Sequence, residues 1–103
     1  MINVIAEIEL NSPALRNEFL AIFKANVPAV LKEDGCISYV PTLDADPELG
    51  GKVVLRDDVV TIVECWESVQ HLHAHLQAPH MLDYKEKVKD IVKNVNIKVL
   101  SPA

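Results

Sequence analysis

Basic side chains, aromatics, glycines and cysteines are all scarce in this sequence, and each shortage removes a class of function. Ten Lys and Arg stand against 15 Asp and Glu, for a net charge of −5. Binding to phosphate needs clustered positive charge, so a nucleic-acid partner is not expected. Two cysteines, Cys36 and Cys65, make no disulfide framework, and both fall in apolar, strand-like segments where buried thiols belong. The three glycines form no phosphate-cradling loop, and neither a Cys-x-x-Cys pair nor a nucleophile elbow is present. Most cofactor-bearing classes go with them, which leaves cofactor-free chemistry or plain binding. No apolar run approaches the roughly 18–20 residues of a membrane span, and no signal-peptide pattern opens the chain. The expectation is a soluble protein of a reducing cytoplasm, without a membrane partner.

Aliphatic surface is what the chain has in excess. Half of the 103 residues are hydrophobic (50%), yet only 5% are aromatic. A chain this short forms one domain, residues 1–103, and buries roughly 60–65% of its unfolded surface. A lone two-layer domain cannot comfortably hide so many aliphatic groups, and burial between subunits is the usual remedy.

The order of elements follows from periodicity. Ile2, Val4, Ala6, Ile8 and Leu10 alternate with Asn3, Glu7 and Glu9, which predicts a strand. Ser12-Pro13 supplies an N-cap hydroxyl and a proline for the first helical position. Leu15, Phe19, Ile22, Phe23, Val27 and Val30 then form one helical stripe, in which Pro28 predicts a kink or break. Gly35 caps this helix and releases a second strand, Cys36 to Leu43. Asp44 to Lys52 reads as a loop, with a short strand at Val53 to Leu55 and a turn at Arg56-Asp57-Asp58. Val59 to Trp66 is the third main strand, apolar on both faces and therefore covered twice. Ser68 caps a short helix carrying Val69, Leu72 and Leu76 that stops near Pro79. A further helix runs from about His80 to Lys93 with Leu82, Val88, Ile91 and Val92 inward, and Val95, Ile97 and Val99 close the chain as a strand. The result is β-α-β-β-α-β, an α+β ferredoxin-like pattern with helices on one face of an antiparallel sheet. The other face is left for a second copy of the chain.

Chemistry is concentrated after the third strand, in Glu64-Cys65-Trp66-Glu67-Ser68 and the four histidines at 71, 73, 75 and 80. His71 and His75 have the spacing of a zinc pair. The sequence names no third ligand, so surface histidines are the better reading and no metal is expected. On the wheel set by Val69, Leu72 and Leu76, His73 and His75 flank the apolar stripe, so either is placed to reach a cleft, while His71 points to solvent. Glu64 shares a strand face with Ile62 and Trp66. It is either half-buried with a raised pKa, as suits a general base, or at an exposed strand end, and the plainer role is a structural hydrogen-bond acceptor. Trp66 is core or pocket wall, with an indole N–H that needs a partner when buried. Tyr39 and Tyr84 have apolar bodies with polar tips and belong to the core edge or the pocket. Lys32-Glu33-Asp34 reads as a solvated helix end, and Lys85 to Lys93 as an exposed, salt-bridged face.

The segments Val4-Ile5-Ala6-Glu7-Ile8, Pro28 to Cys36 with Tyr39, Glu64-Cys65-Trp66-Glu67-Ser68, His75-Leu76-Gln77-Ala78-Pro79-His80-Met81 and Ile97-Lys98-Val99-Leu100 carry a further signal. Together they resemble the antibiotic biosynthesis monooxygenase superfamily, most closely its bacterial quinol monooxygenases. The resemblance implies a ferredoxin-like homodimer of the dimeric α/β-barrel type, in which two sheets pack on each other. It also implies one of several chemistries. Haem-degrading relatives place an asparagine in the first strand where this chain has Ile8. Relatives that isomerise phosphorylated ketones need a phosphate site, and no basic cluster supplies one.

The leading expectation is a cofactor-independent monooxygenase that oxidises a quinol or related phenol with O₂. His75, His80 or Glu64 is the base, Trp66 and Tyr39 are walls, and His73 and Tyr84 are further substrate contacts. The rivals are a non-catalytic dimeric binding or stress protein and an isomerase of a small ketone. Convergence of Glu64, Trp66 and the histidines on one cavity separates the enzyme from a purely structural role.

Overall fold

The alternation at the start of the chain becomes strand β1 (Ile2–Leu10) in the computed structural model, which describes residues 1–103. Every second side chain from Ile2 to Leu10 is buried and those between are half-buried. Leu15 N–H closes a single 3₁₀ turn, Pro13–Leu15, on the Ser12 carbonyl at 3.2 Å. Helix α1 (Arg16–Leu31) follows. The expected Ser12 side-chain cap is not made, because the backbone turn already satisfies that end.

Helix α1 also continues past Pro28 without the break that is one of the two outcomes the sequence predicts there. Pro28 and Lys24 are both exposed, so the Lys24 carbonyl that lacks its donor lies where water reaches it. Phe19, Phe23 and Val30, buried on either side of the proline, hold the helix on the sheet.

Strands β2 (Cys36–Thr42) and β3 (Val59–Trp66) come next, then α2 (Val69–Leu76), α3 (Pro79–Val88) and β4 (Val92–Leu100). The four strands form one antiparallel sheet in the order β2-β3-β1-β4, and the fold is the ferredoxin-like α+β arrangement that the element order implied. Register places Ala6 opposite Ile62 and Val4 opposite Glu64, so Glu64 and Trp66 share the helix-covered face with Val60 and Ile62.

Two segments depart from the sequence reading. Val53 to Leu55 forms no strand; Val54 is 84% exposed. That loop is tied down at its ends by Arg56, which donates from Nε to Asp44 at 2.8 Å and reaches Glu7 on β1. The last helix ends at Val88 instead of Lys93, and Leu82 is 56% exposed instead of inward. Val92 pairs with Leu10, and Asn11 binds the carbonyls of Ile91 and Asp90 at 2.9 Å each. Sheet pairing outweighs helical propensity at that junction.

One turn fixes how the layers meet. After α1 the chain reverses at Gly35, whose φ of +81° is open mainly to glycine. The imidazole of His71 packs so closely on it that an added Cβ would lie 2.2 Å from the ring. Gly35→Ala is therefore expected to lower the unfolding free energy by roughly 1–3 kcal/mol. Urea titration followed by tryptophan fluorescence measures this. Gly35→Ala/His71→Ala should recover only the part due to the ring, because the His71 Cβ would still lie 2.7 Å from the new methyl, and should keep the part due to φ.

Candidate active site

Glu64 reaches the helix side of the sheet because β3 alternates and its even positions face inward. In a core this apolar a carboxylate needs a partner, and Trp66, two residues along on the same face, supplies one. Trp66 Nε1–H donates to Glu64 Oε1 at 2.9 Å. Burial pushes the Glu64 carboxyl up to about 7, the tryptophan bond pulls it back, and the charge of Glu33 adds to the rise. A carboxyl group at that value is an acid or a base at neutral pH.

His75 approaches from α2. Ser68 caps that helix by accepting from the His71 backbone N–H at 3.2 Å, and the one-turn phase that follows buries Leu72 and His75. The His75 ring is 4.6 Å from the Trp66 ring and meets Tyr39 edge-on at 5.3 Å. Its Nδ1–H donates to Glu33 Oε2 at 2.8 Å. Burial lowers the His75 pKa, the hydrogen bond and charge of Glu33 oppose this, and His80 and Lys85 lower it further. Phe23 stacks on Tyr39 at 5.3 Å and meets the edge of Tyr84 at 5.7 Å, so both phenols are set by packing. Burial and the Glu64 charge push both tyrosine hydroxyls up, which keeps them neutral donors.

These side chains surround a cavity of about 330 Å³ between the sheet and α3. It exists because the small Ala6 sits between Ile62 and the β4 edge residue Ile97, and no helix closes over β4. Its lining is apolar apart from Glu64, His75, Tyr39 and Tyr84 within, Lys85 on α3 and Lys89 just after it. No fully enclosed polar side-chain atom lacks a partner. His75 Nε2, the second oxygen of Glu64 and the Tyr39 hydroxyl make no hydrogen bond within the protein, so they are open to this cavity.

The expected site residues divide accordingly. Of the expected convergence of Glu64, Trp66 and the histidines on one cavity, only Glu64 and His75 meet it, and Tyr39 and Tyr84 line it with them. Trp66 does not touch it; fully buried, it backs Glu64 and His75. His80 stands outside, in a recess with Asn26 and Asp83 that shares Tyr84 with the cavity, and its Nε2 lies 2.8 Å from Glu33. His73 is exposed and reaches no cleft, because the turn of α2 that buries His75 rotates it outward. His71, expected to be solvated, is half-buried over Gly35 with its Nδ1 2.7 Å from Ser68 Oγ. Glu33 was read as a solvated helix end; instead it is the partner of two histidines, and nothing in its local sequence marks it. Lys85 and Lys89, read as part of a salt-bridged surface, stand at the cavity.

Asp34, Glu67 and His71 offer three potential metal ligands within 4.8 Å of one another. They lie outside the cavity, and the Asp34 side chain is 95% exposed.

Three comparisons bear on the chain. A family model described as antibiotic biosynthesis monooxygenase matches residues 1–87. The probable quinol monooxygenase YgiN of Escherichia coli is 43% identical over 103 residues, covering 99% of this chain and 98% of YgiN. The structure of Rv0793 from Mycobacterium tuberculosis superposes with a TM-score of 0.79 at 27% identity, over 99% of this chain and 94% of that one. PA3566 from Pseudomonas aeruginosa matches with a TM-score of 0.80 at 20% identity, over 99% and 93% of the two chains, which bears on the fold alone.

Because the Glu64 carboxyl is raised in the folded protein, its contribution to stability is complete below the unfolded value of 4.5 and is lost as pH rises through about 7. Glu64→Gln keeps an acceptor for Trp66 and removes the titration. Its stability relative to the parent should therefore rise between pH 5 and pH 8, by roughly 3 kcal/mol. Paired urea titrations at the two pH values measure the difference, in which the opposite-signed His75 contribution cancels.

Proposed function

The chain belongs to the antibiotic biosynthesis monooxygenase family, and from that premise we propose that it is a cofactor-independent monooxygenase oxidising a quinol or related electron-rich phenol with O₂. The observation that carries this reading is the apolar cavity into which His75 Nε2 and Glu64 open together. The name of YgiN gives the substrate class the same direction.

His75 is the base. Burial keeps it neutral, and its free nitrogen takes the proton of a phenolic hydroxyl. The phenolate then gives one electron to O₂, and the radical pair combines at a ring carbon to form a peroxide. Glu64, which is part protonated at neutral pH, donates to the peroxide oxygen and recovers its proton from the His75 imidazolium. Loss of water from the hydroperoxide leaves a hydroxyquinone. One quinol and one O₂ thus give one hydroxyquinone and one H₂O, with all electrons drawn from the substrate. Two groups whose environments push their pKa values in opposite directions make this exchange of roles feasible. Tyr39 and Tyr84 donate to the second oxygen of the substrate, and the apolar walls keep water from the peroxide.

We also propose that two copies pair through the sheet face that no helix covers. Val40, Val63 and Ile5 form a cross-strand row there, with Val40 49% and Val63 40% exposed. Leu100 on β4, opposite Asn3 on the same face, lies diagonal to Ile5 and is 45% exposed. Sedimentation equilibrium at low micromolar concentration should give a dimer, and Val63→Lys should give a monomer. A folded parent monomer would overturn the pairing.

Oxygen uptake with a panel of reduced naphthoquinols tests the reaction. Turnover should exceed buffer autoxidation and place one atom of ¹⁸O₂ in the product. His75→Ala should fall by about 10²–10⁴-fold. Rates equal to autoxidation, or full activity in His75→Ala, would remove the reading. Tight binding of the oxidised quinone without turnover would favour a binding protein.

A further inference from the structure

A single oxygen atom, Oε2 of Glu33, lies 2.8 Å from Nδ1 of His75 and 2.8 Å from Nε2 of His80. The carboxylate is held in the turn after α1, with its side chain 13% exposed, between a His75 side chain that is 2% exposed and a His80 side chain that is 29% exposed. The three groups form a chain from the cavity to the surface: His75 lines the cavity, and His80 lines an adjoining recess on the other side of Tyr84.

We propose that Glu33 is a positioning residue for His75, keeping the proton on Nδ1 so that Nε2 offers its lone pair to the cavity, and that His80 tunes this hold by competing for the same oxygen. The catalytic consequence rests on His75 being the base; the placement of the proton does not.

A neutral imidazole has one donor and one acceptor, and a carboxylate only accepts. The nitrogen that faces Glu33 therefore carries the hydrogen, and Nε2 carries the lone pair. No other group hydrogen-bonds either nitrogen of His75, so the tautomer is fixed by Glu33 alone. When Nε2 takes a phenolic proton, the Nδ1–H bond stays where it is. The new imidazolium, in a place almost free of water, already has its counter-charge at 2.8 Å. Every bond that His80 donates to Oε2 draws on that same charge. The other titratable groups facing His75 are Glu64 from β3, Tyr39 from β2, and Tyr84 and Lys85 from α3. None of them bonds to its ring nitrogens, so their effect is through space and does not select a tautomer.

The test is imidazole ¹⁵N NMR of the full chain across pH, run alongside the pH profile of kcat/KM for 1,4-naphthoquinol. In the parent protein His75 should be the Nδ1–H tautomer. In Glu33→Gln, whose amide both donates and accepts, the tautomers should mix. The His75 titration, and with it the acid limb of the rate profile, should move to lower pH because the counter-charge is gone. The kcat should fall about tenfold or more with KM little changed. His80→Ala should move the same titration the opposite way, to higher pH, and Glu33→Asp should return part of the shift. An unchanged tautomer and titration in Glu33→Gln, or both variants moving the titration in one direction, would overturn the proposal. Should Glu33→Gln fail to fold, absence of the upward shift in His80→Ala overturns it alone. The NMR readout needs no turnover. Loss of the proposed quinol chemistry with these shifts intact would remove that reaction and leave the positioning standing.

Discussion

Two ionisable side chains, Glu64 and His75, sit inside the apolar layer between sheet and helices, and the rest of the architecture depends on how they are satisfied. An unpartnered polar group at that depth costs several kcal/mol, a large fraction of the stability of a domain this size. Each therefore has a fixed partner: Trp66 for Glu64, and Glu33 for His75. Trp66 lies on the same strand as Glu64, whereas Glu33 is remote from His75, so its contacts with His75 and His80 tie the turn after α1 to α2 and α3. The same bonds leave one unpartnered atom on each group open to the cavity. What stabilises the interior and what makes it reactive are one arrangement.

The hollow itself has an equally plain origin. Helices α1 and α3 cover β2, β3 and β1 but stop short of β4, where Val95, Ile97 and Val99 on the helix side stay about half exposed, at 48%, 49% and 49%. Ala6 removes bulk at the centre of the row beside them. The stacked Phe23 and Tyr39 and the edge-on Tyr84 keep the walls from collapsing inward. A cavity bounded by packed aromatics on one side and a bare strand edge on the other suits a flat ligand entering along β4. Within a fold that supports several reactions, the polar atoms facing such a space decide which one operates.

Much of this could be read in the sequence, for reasons that are local. Alternation of period two placed β1 to the residue, because burial on one face selects one register, and a continuous apolar run between a turn and a helix cap placed β3. Gly35 and Ser68 marked helix ends, since positive φ and an N-terminal cap demand particular residue types. Glu64 and His75 were singled out because an acid beside a tryptophan and an imidazole beside an apolar stripe conflict with their surroundings. Local reading failed where distant strands intervened. Val92 was assigned to a helix and belongs to β4 because Leu10, far away in sequence, pairs with it. His73 and His75 looked equivalent on a wheel, and only the seating of α2 on β3 separated the exposed ring from the buried one.

The sequence by itself determined the element order, the ferredoxin-like topology and the kinds of group available, because those depend on periodicity, turn chemistry and composition. The tertiary structure alone decided which of those groups meet. Glu33 looked like one more charge at a helix end, and it became the shared acceptor of two histidines more than 40 positions away, at |i−j| of 42 and 47. Hydrogen bonds between side chains remote in sequence leave no periodic trace. They are fixed by where a turn at positive φ sets one carboxylate and by which face of a short helix the sheet accepts.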